Sequence, residues 1–241
     1  MLSIIIPALN EEDYLPALLK SIRRQDFNDY EIIVADGGSE DETIKIAKDF
    51  GCIIAPGGST AKGRNEGAKI AKGDLFLFID ADSVLSEHLL LKLITEFNKR
   101  KLGLASFPVY PQGNIIDKIC YGVYNLWTKI TQNFLPHATQ TVLIKKEIHQ
   151  KISGFDEKIK IGEDHAYARN GAKSGKFGFI SCPPLLTSTR RFDREGRLKT
   201  YLTYILSGIY MFFLGGIKSD IFKYRYPHLP KIKKREDIKK S

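Results

Sequence analysis

The chain has few of the features that mark several large protein classes. Cysteine is scarce: Cys52, Cys120 and Cys182 stand far apart, with no Cys-x-x-Cys pair and no Cys/His cluster. That argues against a disulfide framework or a zinc site and favours a reducing compartment. No Gly-x-Gly-x-x-Gly follows the first apolar run, and neither a Gly-x-x-x-x-Gly-Lys-Ser/Thr loop nor a Gly-x-Ser-x-Gly elbow occurs. The dinucleotide fingerprint, the P-loop and the hydrolase nucleophile turn are therefore missing. His88, His137, His149, His165 and His228 lack metal-ligand spacing. His165 stands out only because it adjoins Glu163-Asp164. Internal repeats and low-complexity tracts are lacking. The opening residues have neither the basic region nor the small-residue cleavage site of a secretory signal, so none is expected.

What is present is ordinary for a globular protein: 241 residues, 43% apolar and 27% charged, enough for one sizeable core and an appendage. The net charge of +9 is unevenly placed, because Lys218 to Ser241 holds nine Lys/Arg against three Asp/Glu. Before that tail, Tyr201 to Ile217 runs without a formal charge. As a helix it would be about 25 Å long, short of the roughly 30 Å hydrocarbon core of a bilayer. It also contains Thr203, Ser207, Gly208 and Gly215-Gly216. A helix lying on or dipping into a membrane is expected, with the tail gripping anionic headgroups; a true span and an internal core helix are the alternatives.

The most informative stretch is Leu75-Phe76-Leu77-Phe78-Ile79, followed by Asp80-Ala81-Asp82. A continuous apolar run of this length reads as a strand buried on both faces, as in parallel sheets covered by helices. Two carboxylates at i, i+2 in an extended segment share one side, at the strand's carboxyl end, where open α/β sheets bind ligands. Hard oxygen ligands there suit Mg²⁺ or Mn²⁺ carrying a phosphate ester. An Asp-rich turn capping the next helix is the plain alternative.

The flanking pattern alternates strand and helix. Leu2–Ile6 reads as a strand closed by Pro7 to Glu12, with Asn10 the expected N-cap of a helix striped by Leu15, Leu18, Leu19 and Ile22. Glu31–Ala35 runs into Asp36 to Thr43, where Ser39 and Glu42 have capping-box spacing for a helix ending near Gly51. Cys52–Ala55 is a short strand. Ser59 to Lys72 looks helical, although Gly63 and Gly67 weaken it unless backbones approach closely there. A helix from Ser86 to Arg100 follows the Asp80–Asp82 stretch. This alternation predicts a doubly wound, largely parallel sheet, with Pro7–Glu12, Asp36–Ser39 and Asp80–Ser83 on one rim. Beyond Val109, a helical stripe of Ile116, Ile119, Cys120, Val123, Trp127, Ile130 and Phe134 is open to two readings, core packing or contact with lipid. A strand near 139–144, a helix at Lys145–Lys151, a helix opened by Glu163-Asp164 and a strand at Lys176–Ile180 complete the chain.

Six motifs in order carry a resemblance: Ile6 to Glu12, Asp36 to Thr43, Lys62-Gly63-Arg64-Asn65-x-Gly67, Asp80-Ala81-Asp82, Gly154-Phe155-Asp156-Glu157 and Glu163-Asp164. Over roughly residues 1–195 the chain resembles the family 2 glycosyltransferases of GT-A fold. The resemblance implies inverting transfer of a sugar from a nucleotide-diphosphate donor, most often UDP-linked. Pro7, Ala8 and Glu11 would line the nucleoside pocket, with Asn10 in the same loop, and Asp36 would contact the base. Arg64 would reach base or phosphate, with Lys62 beside it. Asp80 would serve ribose and metal, Asp82 would bind the divalent cation (Mn²⁺ or Mg²⁺), and Asp164 would be the general base, next to Glu163. Arg190 and Arg191 would close over the diphosphate. Many members have a second acid where this chain has Gly37, which leaves Asp36 alone. No Gln-x-x-Arg-Trp occurs, so addition of one sugar is expected rather than processive synthesis.

The expected architecture is therefore α/β: a GT-A type domain over 1–198, a doubly wound, mostly parallel sheet flanked by helices, followed by a membrane-associating apolar helix and basic tail over 199–241. The expected partners are a nucleotide-sugar donor and a lipid-linked or membrane-proximal acceptor at the cytoplasmic face of the membrane. A nucleic-acid partner would explain the tail but not the acid-lined rim. A sugar nucleotidyltransferase, or a catalytically silent nucleotide-sugar binding module, is the alternative function.

Overall fold

The computed structural model of the chain describes residues 1–138, 140–214 and 217. The basic stretch 218–241 lies outside these residues. The first half alternates: β1 (Leu2–Ala8), α1 (Leu15–Arg23), β2 (Tyr30–Asp36), α2 (Thr43–Asp49), β3 (Ile53–Pro56), α3 (Thr60–Ile70), β4 (Leu75–Phe78), β5 (Ser83–Leu85) and α4 (Leu89–Lys99). The second half is more broken: β6 (Leu104–Ser106), β7 (Val109–Pro111), α5 (Ile115–Thr131), β8 (Val142–Lys145), α6 (Lys146–Lys151), α7 (Glu163–Ala172), β9 (Phe177–Phe179), β10 (Leu185–Thr187), α8 (Arg190–Glu195) and α9 (Arg197–Leu214).

Among the described residues, seven strands form one sheet in the order β3-β2-β1-β4-β8-β6-β9. Every neighbouring pair is parallel except those made by β8, which runs against both β4 and β6. The expected α/β architecture with a mostly parallel sheet is observed. Both faces of the central strands are covered, which is why they read as continuous apolar runs. Ile4 and Ile6 pack with Leu15, Leu18 and Leu93 on one side. Ile5 packs with Phe76, Phe78 and Ala61 on the other. From β1 the chain winds outward through β2 and β3, and α3 then returns it to β4 on the far side of β1. The strand order thus reverses between β1 and β4, and the crevice beyond their carboxyl ends is where such sheets bind ligands.

The close approach that Gly63 and Gly67 require is present. A Cβ on Gly67 would lie 2.5 Å from Ile5 Cγ2, and one on Gly63 3.2 Å from Pro7 Cβ, so α3 lies directly on β1. Two capping expectations fail, for one physical reason. Asn10 does not cap α1, which starts after Tyr14; it takes φ 53° and its Oδ1 accepts from Glu40 N at 2.9 Å. Ser39 does not cap α2, which starts after Glu42; its hydroxyl bonds the Asp36 carboxylate and accepts from Asn10 N at 2.9 Å. Both side chains tie the loop after β1 to the loop after β2 rather than closing a helix end.

A second sheet, in the order β5-β10-β7, lies beside the first. Helix α5 crosses the edges of both sheets with its polar side inward. Asn125 donates to Val109 O at 2.9 Å and accepts from Val109 N at 3.3 Å, completing edge strand β7. Gln132, just past the helix, accepts from Phe179 N of edge strand β9 at 2.9 Å. Asp117, Asn125, Thr128 and Thr131 are buried, whereas Ile116, Ile119, Val123, Trp127, Ile130 and Phe134 are between 51% and 74% exposed. The core-packing reading of that stripe does not hold. Helix α9 buries Thr200, Ser207 and Met211 and exposes Leu202, Ile205 and Leu206. Among the described residues no helix is long and apolar enough to cross a membrane.

Candidate functional site

The site forms where the loops after β1, β2 and β4 meet the starts of α7 and α8. Pro7 and Ala8 end β1 in register with Ala35 and Asp36 at the end of β2, and Gly37 N bonds Ala8 O at 2.8 Å. Asp36 folds its carboxylate back on its own loop, accepting from Gly38 N at 2.9 Å and Ser39 N at 3.1 Å. Such an Asx turn holds a backbone rigid with N–H groups around an acid. Asn10 adopts the left-handed conformation that its short polar side chain tolerates better than most, and with Ser39 it fixes the two loops together.

Arg64 is the pivot of the acid cluster. It is 2% exposed on the inner side of α3, and it bonds Asp80 Oδ1 at 2.9 Å and Glu163 Oε1 at 3.1 Å. Its guanidinium lies 5.1 Å from the centre of the Phe155 ring, and its Nε finds no hydrogen-bond partner among the described residues. Arg190 makes a second pivot. It forms a bidentate pair with Glu11 at 2.6 and 2.7 Å, reaches Asp82 Oδ2 at 3.1 Å, and lies 4.5 Å from the ring centre of Tyr14. The second sheet brings it there. β5 begins one residue after Asp82, pairs Ser83 with Thr187 of β10, and Ser188 N then bonds Asp82 O at 3.0 Å. Arg190 follows two residues later.

Burial raises the pKa of Asp80, Asp82 and Glu163. Desolvation raises Asp80 against the opposing charge of Arg64, and raises Asp82 to about 7 against Arg190. Glu163 is raised by burial and by the adjacent Asp164, again opposed by Arg64. A desolvated carboxylate gains most from a nearby cation, and each of these three has an arginine beside it. Asp164 sits in the first turn of α7, its carboxylate held by Gln140 N at 2.9 Å and His165 N at 2.8 Å. Next to it, His137 and His165 approach at 3.4 Å, and burial lowers the pKa of His137 to about 4.

The structure therefore brings together Pro7, Ala8, Asn10, Glu11, Asp36, Arg64, Asp80, Asp82, Glu163, Asp164 and Arg190. Two expected residues lie apart from the acids. Lys62 is exposed in the first turn of α3. Arg191 turns toward Glu195 at 3.5 Å and the Tyr204 ring at 5.8 Å. Sequence reasoning missed Tyr14 beneath Arg190, the Gln140 amide on Asp164, and the role of Asn65. Asn65 accepts from Phe155 N at 2.8 Å and donates to Phe155 O at 3.0 Å and Glu157 at 2.9 Å, so it fastens two of the motifs to each other. Its place within the Lys62-Gly63-Arg64-Asn65-x-Gly67 motif was the available signal for Asn65, and nothing local pointed to Tyr14 or Gln140. A cavity of about 470 Å³ lies along α7, lined by Phe155, Ile159, His165, Arg169 and Met211, and contains none of Asp80, Asp82, Glu163 or Asp164.

Among the described residues no three acids, histidines or cysteines converge on one point as a ready metal cage. Asp82 does have the character of a single protein ligand: it is only partly exposed, its pKa is raised, and the arginine beside it is shared with Glu11. That donor set fits a cation whose remaining ligands come from a phosphorylated substrate.

A family model described as glycosyl transferase family 2 matches residues 3–155. The chain is 27% identical over 190 residues to the uncharacterized glycosyltransferase EpsJ of Bacillus subtilis, covering 69% of this chain and 54% of that one. It thus spans about half the length of that relative. Two solved structures share the fold. Residues 1–349 of Staphylococcus aureus TarS in complex with UDP match with a TM-score of 0.65 and 18% identity, over 78% of this chain and 60% of that one. Mycobacterium tuberculosis glucosyl-3-phosphoglycerate synthase, in complex with Mn²⁺, UDP and glucosyl-3-phosphoglycerate, matches with a TM-score of 0.57 and 18% identity, over 81% and 75%.

Proposed function

We propose, because the chain belongs to glycosyl transferase family 2 and gathers its acids at the sheet's switch point, that it transfers a single sugar, with inversion, from a nucleotide-diphosphate donor, UDP-linked by preference, to a lipid-linked or membrane-proximal acceptor. The observation that carries this reading is that Asp80 and Asp82, just past the end of β4, meet Arg64, Arg190 and Glu163 of α7 beside the loops that follow β1 and β2. A nucleotidyltransferase needs a glycine- and lysine-rich phosphate loop after its first strand, which Pro7–Glu12 does not supply.

In this reading Pro7, Ala8 and the Asp36 turn cradle the nucleoside, and Asp80 and Arg64 position the ribose and the inner phosphate. Asp82 would hold Mg²⁺ or Mn²⁺, with Asp80 next to it. When bound, such an ion neutralises the charge that develops on the departing nucleoside diphosphate. Arg190, held by Glu11 at the mouth of the crevice, would pair with phosphate oxygens in the bidentate manner guanidinium favours. The acceptor oxygen attacks the anomeric carbon from the face opposite the diphosphate, forming one C–O bond as the other breaks. Asp164 takes the acceptor's hydroxyl proton. Its two backbone hydrogen bonds hold the carboxylate oriented for that transfer. Exposed apolar residues on α9, and the uncharged run and basic tail over 199–241, support a peripheral place on the cytoplasmic face of a membrane. Three free cysteines agree with a reducing compartment.

The test is a thermal-shift screen of nucleotide sugars with and without Mn²⁺, on the full chain and on Asp82→Asn. Stabilisation by one uridine donor that depends on Mn²⁺ and is lost in Asp82→Asn is the expected result. An equal shift in the variant would remove the metal assignment, and no shift with any donor would remove the enzyme reading.

A further inference from the structure

Helix α5 is built the wrong way round for a helix of a freely soluble domain. An amphipathic helix ordinarily turns its apolar stripe to the core, yet here the inward side is Asp117, Asn125, Thr128 and Thr131. The cause is local. Two sheet edges, β7 and β9, present backbone groups that need partners, and Asn125 and Gln132 supply them. With the polar side committed to those edges, Ile119, Val123, Leu126, Trp127, Ile130 and Phe134 form a continuous outward stripe. Exposed apolar patches on this scale mark interaction sites.

The stripe is joined to a second exposed apolar surface. Asp117, fully buried at the start of α5, accepts from Tyr201 Oη at 2.7 Å and Arg197 Nε at 3.2 Å, fastening the first turns of α5 and α9 together. Phe192 of α8 packs against Tyr121 of α5 and Tyr201 of α9. Leu198, Leu202, Ile205 and Leu206 are exposed on α9. The exposed charged residues of α5 are both basic, Lys118 and Lys129, while its one acid, Asp117, is buried; Asp193 of α8 is exposed but paired with Arg197 at 2.8 Å, and the sequence after α9 holds nine Lys/Arg against three Asp/Glu.

We infer that α5 is a membrane-docking helix, which lies in the plane of an anionic bilayer with its apolar stripe in the headgroup–acyl boundary and α9 alongside. An apolar stripe rimmed by lysines and containing a tryptophan fits that occupant, whereas a protein partner of matching chemistry would have to supply an acidic rim. The inference deepens the membrane-proximal reading and rests on it for its purpose. It moves the main contact from 199–241 to 115–134. Helix α8, which holds Arg190 against Asp82, ends two residues before α9 begins, so docking would set the crevice close to the lipid surface.

The chain's single tryptophan, Trp127, makes the test specific. Full-length protein is mixed with vesicles of phosphatidylglycerol and phosphatidylethanolamine, or of phosphatidylcholine alone, some with brominated acyl chains. Flotation and Trp127 emission are measured for the parent, for Val123→Glu/Ile130→Glu and for Lys118→Glu/Lys129→Glu. The expected result is a blue shift and bromine quenching on anionic vesicles, a fall of at least about tenfold in partitioning for the glutamate pair on the stripe, and a severalfold fall for the lysine pair. The donor-induced thermal shift should be unchanged in both variants, which separates lost docking from lost folding or a lost donor site. The inference is overturned if the protein floats while Trp127 emission stays unmoved, placing the contact elsewhere. It is equally overturned if the parent sediments as a lipid-independent dimer that Val123→Glu/Ile130→Glu dissolves, making a second copy the occupant.

Discussion

Replacing Arg64 with Met keeps most of the side-chain volume beside Phe155 and removes the charge that two acids share. Asp80 and Glu163 would then stand in a largely desolvated crevice with no guanidinium between them. Breaking a buried pair from one side costs about 3–5 kcal/mol. For a domain of this size that corresponds to a fall in Tm of roughly 6–20 °C. The pH dependence separates charge from packing. Both carboxyls already have raised pKa values because of burial, with Arg64 opposing the rise, so removing Arg64 raises them further. A carboxyl with a raised folded-state pKa keeps its proton while the unfolded chain releases one from about pH 4 upward, so stability falls as pH rises through the raised value. Every tenfold loss of acidity that the folded chain imposes on a carboxyl deepens the deficit at the alkaline end by about 1.4 kcal/mol.

Thermal and urea melts of Arg64→Met and Arg64→Met/Glu163→Gln, without metal or nucleotide, at about pH 5 and about pH 8, test this. The single variant should be destabilised more at the higher pH, and the added Gln should recover part of the loss there and little at the lower pH. An equal deficit at both values would show that Arg64 acts through packing on Phe155 alone. No deficit would refute the bridging role altogether.

Two other substitutions probe separate links of the same chain. Asp164→Asn should lower transfer by roughly 10²–10⁴-fold, the usual worth of a positioned base, with the donor-induced thermal shift retained; loss of that shift would assign the residue to holding the Gln140 segment instead. Gly67→Ala should cost about 1–3 kcal/mol by overpacking, because its Cβ would lie 2.5 Å from Ile5 Cγ2, and a neutral result in a urea melt would mean that α3 can lift from β1.

The elements legible in the sequence were those whose pattern is local and long. The apolar runs of β1, β2 and β4 have few alternatives to a doubly covered strand, and α1 carries a clear stripe of Leu15, Leu18, Leu19 and Ile22. The second sheet was not legible, because β5, β7 and β10 are three residues each and exist only through pairings between residues 76 to 104 positions apart. The site shows the same division. Asp80 and Asp82 announce themselves at the end of an apolar run, but that Arg64 serves Asp80 and Arg190 serves Asp82 depends on contacts 16 and about a hundred residues apart in sequence. The Arg190–Glu11 pair spans 179 residues. The same limit explains the two mistaken caps. Asn10 and Ser39 have the right chemistry for a helix end, and a neighbouring strand's loop, invisible to local spacing, uses that chemistry first.

Helix α5 shows most plainly what periodicity can and cannot decide. Its stripe fixes that one side is apolar and the other polar, but hydrophobicity alone does not fix which side faces in. Burying the stripe would have removed several large side chains from water, each worth about 1.5–3 kcal/mol. It would also have left the edge groups at Val109 and Phe179 without their side-chain partners, at about 1–3 kcal/mol for each unsatisfied group. On that comparison water alone favours the opposite orientation. The observed one becomes the better arrangement once an apolar medium covers the stripe, because the edge bonds are then kept and the apolar side chains leave water as well. The polarity of α5 is thus itself an argument that the folded chain is completed by a surface it does not contain.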